Sequence, residues 1–176
     1  LSYEAVDNGS SVTVKQSVKV SGKQAENISG YGDTKTSITP KKQPLNDTNT
    51  HFINNLEWTI YPDGTVVCQS VLLPRGNPLE LLRLGYELQL PANMGNVTYY
   101  GRGPEENYAD RKSGMPLGVY KTTARDSFFP YGRPQDCGNH EDTRWVAVTD
   151  DKGQGLLFGS VGAPFAFSAL PYTTTD

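Results

Sequence analysis

The chain has 176 residues, of which 36% are hydrophobic, so it is long enough for one domain with a sizeable core. A mean hydropathy of −0.53, with 18 glycines and 12 prolines, favours an all-β protein with many turns over a fully covered parallel sheet. The net charge of −3 and the lack of a basic patch argue against a nucleic-acid partner, and no run of about 18 apolar residues predicts a membrane span.

The N-terminal part predicts two neighbouring strands. Residues 3–7 are predicted to form a short strand that turns at Asp7-Asn8-Gly9. The run 12–20 is predicted as a strand because valines recur at even spacing, and alternate side chains of a strand point to the same face. Gln16 interrupts this face, so we expect it at an irregularity or at a sheet margin. The valines expected on one face are Val12, Val14, Val18 and Val20.

A polar segment separates these strands from the rest. Residues 21–50 carry several Gly and Pro residues and few large apolar groups, so they bury too little surface to order firmly. We predict a long loop there, with one weak strand around residues 36–38. The whole chain, 1–176, is predicted to be a single β-sandwich domain with this loop-rich stretch at 21–50.

Two hairpins are predicted from their turn residues. Pro62-Asp63-Gly64 joins the β-rich runs 51–61 and 65–73, and proline and glycine at these positions favour a tight reversal. The turn at residues 150–153 joins runs 144–150 and 155–160 in the same way.

Three further strands are predicted from residue pattern. The leucines of residues 79–90 also suit a helix, but Gly85 costs a helix about 1 kcal/mol relative to Ala. Residues 84–90 alternate with period two, so we predict a strand over 82–90. Residues 97–100 and 165–170 are the other two predicted strands.

The two cysteines, Cys68 and Cys137, are too few for a secreted disulfide scaffold. Cys68 lies in the middle of a predicted strand and is expected to be a small buried hydrophobe. A Cys68–Cys137 bridge stays open at this point, and two free thiols are the expectation.

The charged and aromatic residues are concentrated between residues 97 and 145. A retaining glycosidase needs two carboxyl groups about 5–5.5 Å apart, but adjacent Glu105 and Glu106 on an extended segment point to opposite sides. We therefore expect no catalytic residue here. Glu105 is instead expected to form a buried ion pair with Arg111 or Arg144 that holds the loop.

Other catalytic and ligand-binding patterns are weak. Cys137 and His140 give one thiol and one imidazole, whereas a structural zinc site needs four ligands, so no metal site is predicted. The same two residues lack a recognisable orienting group for nucleophilic catalysis. The Gly101–Pro104 turn lacks the Lys-Ser/Thr helix start of a phosphate-binding loop.

Carbohydrate binding is the candidate site chemistry, because aromatic rings beside Arg and Asn groups suit sugar hydroxyls and ring faces. The alternative is that the rings fill the core while the polar groups tie loops together. The candidate sugar-binding residues are Arg102, Asn107, Tyr108, Asn139, His140 and Trp145.

Four segments carry a resemblance to a known family. Residues 81–85, 100–111, 134–145 and 165–169 resemble the C-terminal small-chain domain of the β-galactosidases of glycoside hydrolase family two. Residues 101–111, with the pattern Gly-x-Gly-Pro-x-Glu-Asn-Tyr-x-Asp-Arg, are the most specific of these. The resemblance implies a large antiparallel β-sandwich, similar to the galactose-mutarotase-like supersandwich and truncated at its C-terminus.

The same resemblance implies a function. The parent would be a retaining β-galactosidase whose catalytic glutamates lie on a separate TIM-barrel domain, so this chain would support the barrel, wall the sugar site and be inactive alone. The Gly-Gly-Asp-x-x-Trp segment of family members has no match here, and no catalytic residue is carried over. It implies no cofactor in this chain, a possible metal ion in the catalytic domain, a homo-oligomeric parent, and a bacterial cytoplasmic or periplasmic location.

Two other functions stay open. One is a stand-alone carbohydrate-binding module that uses Tyr108, Trp145, Arg102 and Asn139. The other is aldose epimerisation, which needs a general acid and a general base that face one pocket. His140 and Glu141 are neighbours in sequence, so their side chains would point to opposite sides of a strand.

Overall fold

The computed structural model describes residues 2–20, 51–76, 84–132 and 135–172, and the regular elements in these ranges are ten β-strands. All strand pairs are antiparallel. The predicted all-β class is confirmed, and the architecture is consistent with a β-sandwich. In these same ranges no helix has the length and apolar character needed to cross a membrane.

The chain forms two compact units, Leu1–Gly85 and Tyr86–Asp176. The first unit contains one four-stranded sheet in which the strands follow one another in chain order. The predicted single-domain organisation stays a prediction. The strands of this sheet are β1 (Ser2–Asp7), β2 (Val12–Val20), β3 (His51–Ile60) and β4 (Val66–Arg75).

The predicted Pro-Asp-Gly hairpin joins β3 and β4. The amide of Gly64 donates to the carbonyl of Tyr61 over 3.1 Å, and the amide of Thr65 donates to the Asp63 carboxylate over 2.8 Å. Gly64 has a φ of 88°, a region that side-chain-bearing residues rarely adopt. The turn residues therefore set the register in which Ile60 pairs with Val66.

The valines of β2 lie on one face, as predicted, since they pair with alternate residues of β3. Gln16, however, is not at an irregularity or a margin. It pairs with Leu56 on one side and Tyr3 on the other, within an unbroken register of a central strand. A polar residue fits this face because the sheet leaves it partly open: Val12 is 40% exposed and Val20 is 44% exposed.

Cys68 is a second correction in this unit. It is exposed on β4, an outer strand of the sheet, rather than buried. Both cysteines are free thiols, as expected, and Cys137 is the buried one.

The second unit contains two sheets. One has the strand order β6-β5-β8-β9, and the other pairs β10 with β7. Its strands are β5 (Asn96–Arg102), β6 (Leu117–Thr123), β7 (His140–Thr143), β8 (Trp145–Thr149), β9 (Gly155–Gly159) and β10 (Phe165–Phe167).

Arg144 alone separates β7 from β8, although these strands belong to different sheets. The Arg144 amide donates to the carbonyl of Tyr100 on β5 over 2.8 Å. Asp142, two residues earlier, has a φ of 51° in the left-handed region. The chain therefore changes sheet at a sharp local bend.

The core of this unit lies on one face of the four-stranded sheet. Val97 and Tyr99 of β5 pair with Val148 and Val146 of β8, and all four are buried. Alternate residues of β5 and β8 face the other way, as the pleat of a strand requires. The side chains packed around the four are Leu90, Met94, Tyr120, Phe158, Phe165, Phe167 and Ala169.

Three differences from the predicted strands have physical reasons. Residues 84–90 form no strand, because alternating apolar side chains do not supply the backbone hydrogen bonds that a neighbouring strand would. Leu84 and Leu88 are accordingly 67% and 60% exposed. The strand predicted at 165–170 ends at Phe167, where its pairing with short β7 stops. β6 was not predicted, since its glycine and lysine weaken the apolar pattern. Residues 21–50, 82 and 83 lie outside the described ranges.

Truncation of a valine should affect stability differently on the two faces of the sheet that contains β5. Val97→Ala should lower the free energy of unfolding by about 2 kcal/mol, because Val97 is 1% exposed and its truncation leaves a cavity. Val119→Ala on β6, where valine is 61% exposed, is the matched control and should cost less than about 1 kcal/mol. Urea unfolding of both variants checks this, and equal losses would contradict the assigned core face.

Candidate functional site

The candidate site is built on residues 101–111, which begin with the last two residues of β5 and which we call the polar bend. Its cis peptide bond joins Gly103 and Pro104, and a turn closes where the Arg111 amide donates to the Tyr108 carbonyl over 2.9 Å. Residues 135–139 and strand β7 lie against it, as the hydrogen bonds below show. The site therefore combines segments that are about 30 residues apart in sequence.

Asn107 is the centre of the bend and is fully buried. Its Nδ2 group donates to the carbonyls of Arg102 and Glu105, each over 3.0 Å, and its Oδ1 accepts from the Glu141 amide over 2.9 Å. Its backbone amide and carbonyl pair with the carbonyl and side-chain amide of Asn139, each over 2.7 Å. One residue thus holds the bend closed and joins it to β7.

A buried tyrosine and histidine lie beneath the bend. His140 Nδ1 is 3.0 Å from the Tyr99 hydroxyl and 3.2 Å from the Arg102 carbonyl, which only accepts, so we assign the proton to Nδ1. The Tyr99 hydroxyl can then donate to the Pro104 carbonyl, 3.3 Å away. Burial lowers the pKa of His140 and raises that of Tyr99, so both rings are neutral at pH 7.

Glu106 is the charged anchor of the bend. One carboxylate oxygen accepts from Arg111 Nη2 over 2.5 Å and from the Tyr131 hydroxyl, and the other accepts from the Gly138 amide over 2.7 Å. Burial opposes ionisation, but the hydrogen bonds from Tyr131, Gly138 and Arg111 outweigh it and hold the pKa of Glu106 below its usual value. Glu106 is therefore an ionised structural carboxylate.

A second charged cluster lies at the start of the bend. Arg102 Nε donates to Asp142 over 2.5 Å, and its Nη1 donates to the Met115 carbonyl over 2.8 Å. Lys112 Nζ is 3.0 Å from Asp142 and 3.6 Å from Glu141. Hydrogen bonds from Arg102 and Lys112 lower the pKa of Asp142. The cluster joins the start of the bend, through Arg102, and the residue after its end, Lys112, to β7.

Gly138 is required by the close approach of two loops. A Cβ atom at this position would lie 2.5 Å from the Ser127 carbonyl oxygen, and its φ of 67° disfavours other residues. This conformation turns the Gly138 amide toward Glu106.

The predicted ion pair of Glu105 is wrong by one residue. Glu105 is exposed and has no ion pair in the described part of the chain, whereas Glu106 binds Arg111. The Glu106–Arg111 pair is also not buried as predicted, since the Arg111 side chain is 55% exposed. Arg144 lies elsewhere, with its guanidinium 5.4 Å from the Tyr100 ring centre and bonded to the Asp142 carbonyl. The cause is the alternation of the extended chain, which turns Glu106 inward.

The candidate sugar-binding residues are only partly brought together. Asn107 and His140 are buried, and their hydrogen bonds are made inside the chain, as are those of Arg102 and Asn139. Tyr108 is half-buried beneath Arg111. Trp145 instead lies on β8, opposite Tyr100 and Gly159. Sugar binding by this set stays a prediction.

Metal binding has no geometric support where the structure is described. There, no group of three or more His, Cys, Asp or Glu side chains is arranged to hold an ion. His140 Nδ1 is engaged by Tyr99 and Arg102, and Cys137 is buried.

Sequence reasoning missed Glu106, Tyr131, Asp142 and Lys112 as network members. The alternation of Glu105 and Glu106 was a usable signal, since only one of them can face the loop. No signal indicated Lys112 or Asp142, because their contact depends on the left-handed turn of Asp142.

The fold and the bend define a class: an all-β protein of antiparallel strands whose polar bend is held by hydrogen bonds within the chain. The sequence profile of the β-galactosidase small chain family matches residues 3–176. The chain therefore belongs to that family, and the predicted resemblance is confirmed.

Curated relatives agree with this assignment. The β-galactosidase of Priestia megaterium is 39% identical over 117 residues, which cover 66% of this chain and 11% of that protein. β-Galactosidase BgaC of Bifidobacterium adolescentis is 50% identical over 93 residues, or 52% of this chain and 9% of that protein. The β-galactosidase of Lactobacillus delbrueckii subsp. bulgaricus is 45% identical over 92 residues, with the same two coverages. The match thus spans about a tenth of each relative.

Asn107→Ala should lower the free energy of unfolding by about 3 kcal/mol or more. Several buried donors and acceptors lose their partners, and each one costs about 1–3 kcal/mol. Asn107→Asp keeps the shape but replaces two donated bonds with repulsion from carbonyls, so it should also destabilise. Asn93→Ala, at an exposed turn, is the matched control and should stay within about 0.5 kcal/mol in urea unfolding. A similar small loss at Asn107 would refute its central role.

The stability contributed by Glu106 should depend on pH. Because its pKa in the folded state lies below the usual value of 4.5, the contribution is complete above that pH and is lost as the pH falls through the folded pKa. Glu106→Gln should be less stable than the unchanged chain by about 1–2 kcal/mol at pH 7, and the difference should shrink below about pH 4.5.

Unfolding curves measured at several pH values test this, with Glu87→Gln as the control for losing one exposed negative charge. A stability difference between Glu106→Gln and the unchanged chain that stays constant down to pH 3 would count against an ionised anchor.

Proposed function

We propose that this chain is the non-catalytic C-terminal small-chain domain of a retaining β-galactosidase. In that enzyme it would support the catalytic TIM barrel and help to wall the galactoside site. Membership of the small-chain family supports the parent activity, because the relatives are β-galactosidases.

One observation supports the non-catalytic role. The inward carboxylates of the polar bend region are Glu106, Glu141 and Asp142; each is bound by at least one cation, and the pKa values of Glu106 and Asp142 are lowered. A general acid at neutral pH needs a raised pKa instead, and a nucleophile needs an oxygen free to reach substrate. Carboxylates bound in this way are suited to fixing the conformation of a loop. The structural role that we propose requires no cofactor in this chain.

The proposed support role follows from the energetics of the bend. Its hydrogen bonds close within the chain, so the loop keeps one shape without a ligand. A preorganised loop is what a neighbouring catalytic domain requires from a wall of its site.

A replacement experiment tests the proposal. Deleting the matching segment from the Priestia megaterium β-galactosidase should abolish hydrolysis of an aryl β-galactoside, and inserting the segment from this chain should restore it. The same chimera with Asn107→Ala should lose activity at a lower temperature than the chimera with Asn93→Ala. Full activity of the deletion variant would refute the support role.

The 176-residue chain alone should show no turnover of the aryl β-galactoside. Turnover that a point substitution in this chain abolishes would refute the non-catalytic role.

A further inference from the structure

An exposed aromatic surface lies beside the polar bend and adjoins the Glu106 anchor. Phe129 is 57% exposed, and its ring centre is 4.6 Å from that of Tyr131. The Tyr131 amide donates to the Phe129 carbonyl over 2.9 Å, which fixes the local path of the chain. A large ring left in water on an ordered segment has no role in the core described above.

Arg111 supplies polar groups at the edge of this surface. Its guanidinium carbon lies 4.9 Å from the Tyr108 ring centre, and its Nη2 is 2.5 Å from Glu106 and 3.3 Å from the Tyr131 hydroxyl. Nε and Nη1 contact no acceptor in the described ranges, and the side chain is 55% exposed. These donors are therefore oriented by their neighbours and open to water.

We propose that Phe129, Tyr131 and Arg111 form a binding site for a pyranose sugar. The sugar would stack the C–H groups of one ring face on Phe129 and accept hydrogen bonds from Arg111 Nε or Nη1 through its hydroxyl oxygens. An apolar ring face surrounded by hydroxyl groups is the chemistry that matches an aromatic platform with a few fixed donors.

The local charge favours this neutral ligand over an anion. Glu106 already neutralises Arg111, and Glu105 and Asp110, which also belong to the bend, are exposed carboxylates. A phosphate or carboxylate ligand would meet these negative charges, whereas a sugar adds none.

The site goes beyond the proposed function, since it requires neither a catalytic barrel nor a parent enzyme. It also differs from the sugar-binding set predicted from sequence, because its central ring is Phe129 and its donors are Arg111 Nε and Nη1, which contact no acceptor in the described ranges.

Titration of the 176-residue chain with methyl β-D-galactopyranoside tests the site. Two-dimensional ¹⁵N NMR should show saturable shifts centred on residues 108–111 and 129–131, with a Kd on the order of 1–10 mM, typical of a contact with one ring face and few hydrogen bonds. Methyl β-D-glucopyranoside in a parallel titration compares a second pyranose of the same class, and saturable shifts at these residues with either sugar support the site.

Two substitutions on the same loop separate the site from general effects. Phe129→Ala should raise the Kd about tenfold or more, whereas Phe129→Tyr keeps the ring and should bind within about threefold of the unchanged chain. Phe128→Ala is the matched control, because Phe128 is 39% exposed and packs on Tyr172 instead, at 4.9 Å. It should leave the Kd unchanged.

Each outcome decides the proposal. No saturable shifts up to about 50 mM of either sugar, shifts centred elsewhere, or equal affinity in Phe129→Ala would overturn it. If Phe129→Ala fails to fold, the position of the shifts in the unchanged chain and the affinity of Phe129→Tyr decide instead.

Discussion

The structure of the second unit depends on one buried side-chain amide. Asn107 satisfies two carbonyls and one backbone amide with its side chain alone, in a place that water does not reach. Only an amide provides two donors and an acceptor in so small a volume without a charge. A carboxylate would face carbonyl oxygens, and an aliphatic residue would leave all three groups unpaired. The neutral amide of Asn107 is therefore what closes the tight bend at the end of β5.

The charged groups around the bend follow from this closure. Once Asn107 fixes the path of the chain, Glu106 faces Gly138 and Arg111, and Arg102 faces Asp142. Each carboxylate is compensated by cations or fixed dipoles, which is the condition for holding charge at a half-buried site. The same hydrogen bonds lower the pKa values of Glu106 and Asp142, so the groups that hold the bend are ionised carboxylates at neutral pH.

Turn residues and side-chain spacing correctly predicted the features of the fold that depend on residues close together in the sequence. The Pro-Asp-Gly turn fixed its hairpin, and the valine spacing of β2 gave the correct face. Residues 84–90 were predicted wrongly, because a strand depends on a neighbour that the pattern of one segment does not reveal.

In the site, the family motif located the bend correctly, but the choice between Glu105 and Glu106 depended on which of them faces a loop about 30 residues away. The exposure of Cys68 likewise depends on its position on an outer strand, which is a property of the sheet.

The switch between β7 and β8 has a mechanical consequence. Because one peptide segment passes from the β10-paired sheet to the β5-paired sheet at Arg144, the two layers share a covalent joint, with Asp142 as its left-handed corner. Sliding of one layer over the other would have to break the Arg144–Tyr100 bond and pull on that joint. The two sheets are therefore constrained to unfold together, and the bonds from β5 to β7, among them Tyr99–His140 and Arg102–Asp142, add to this constraint.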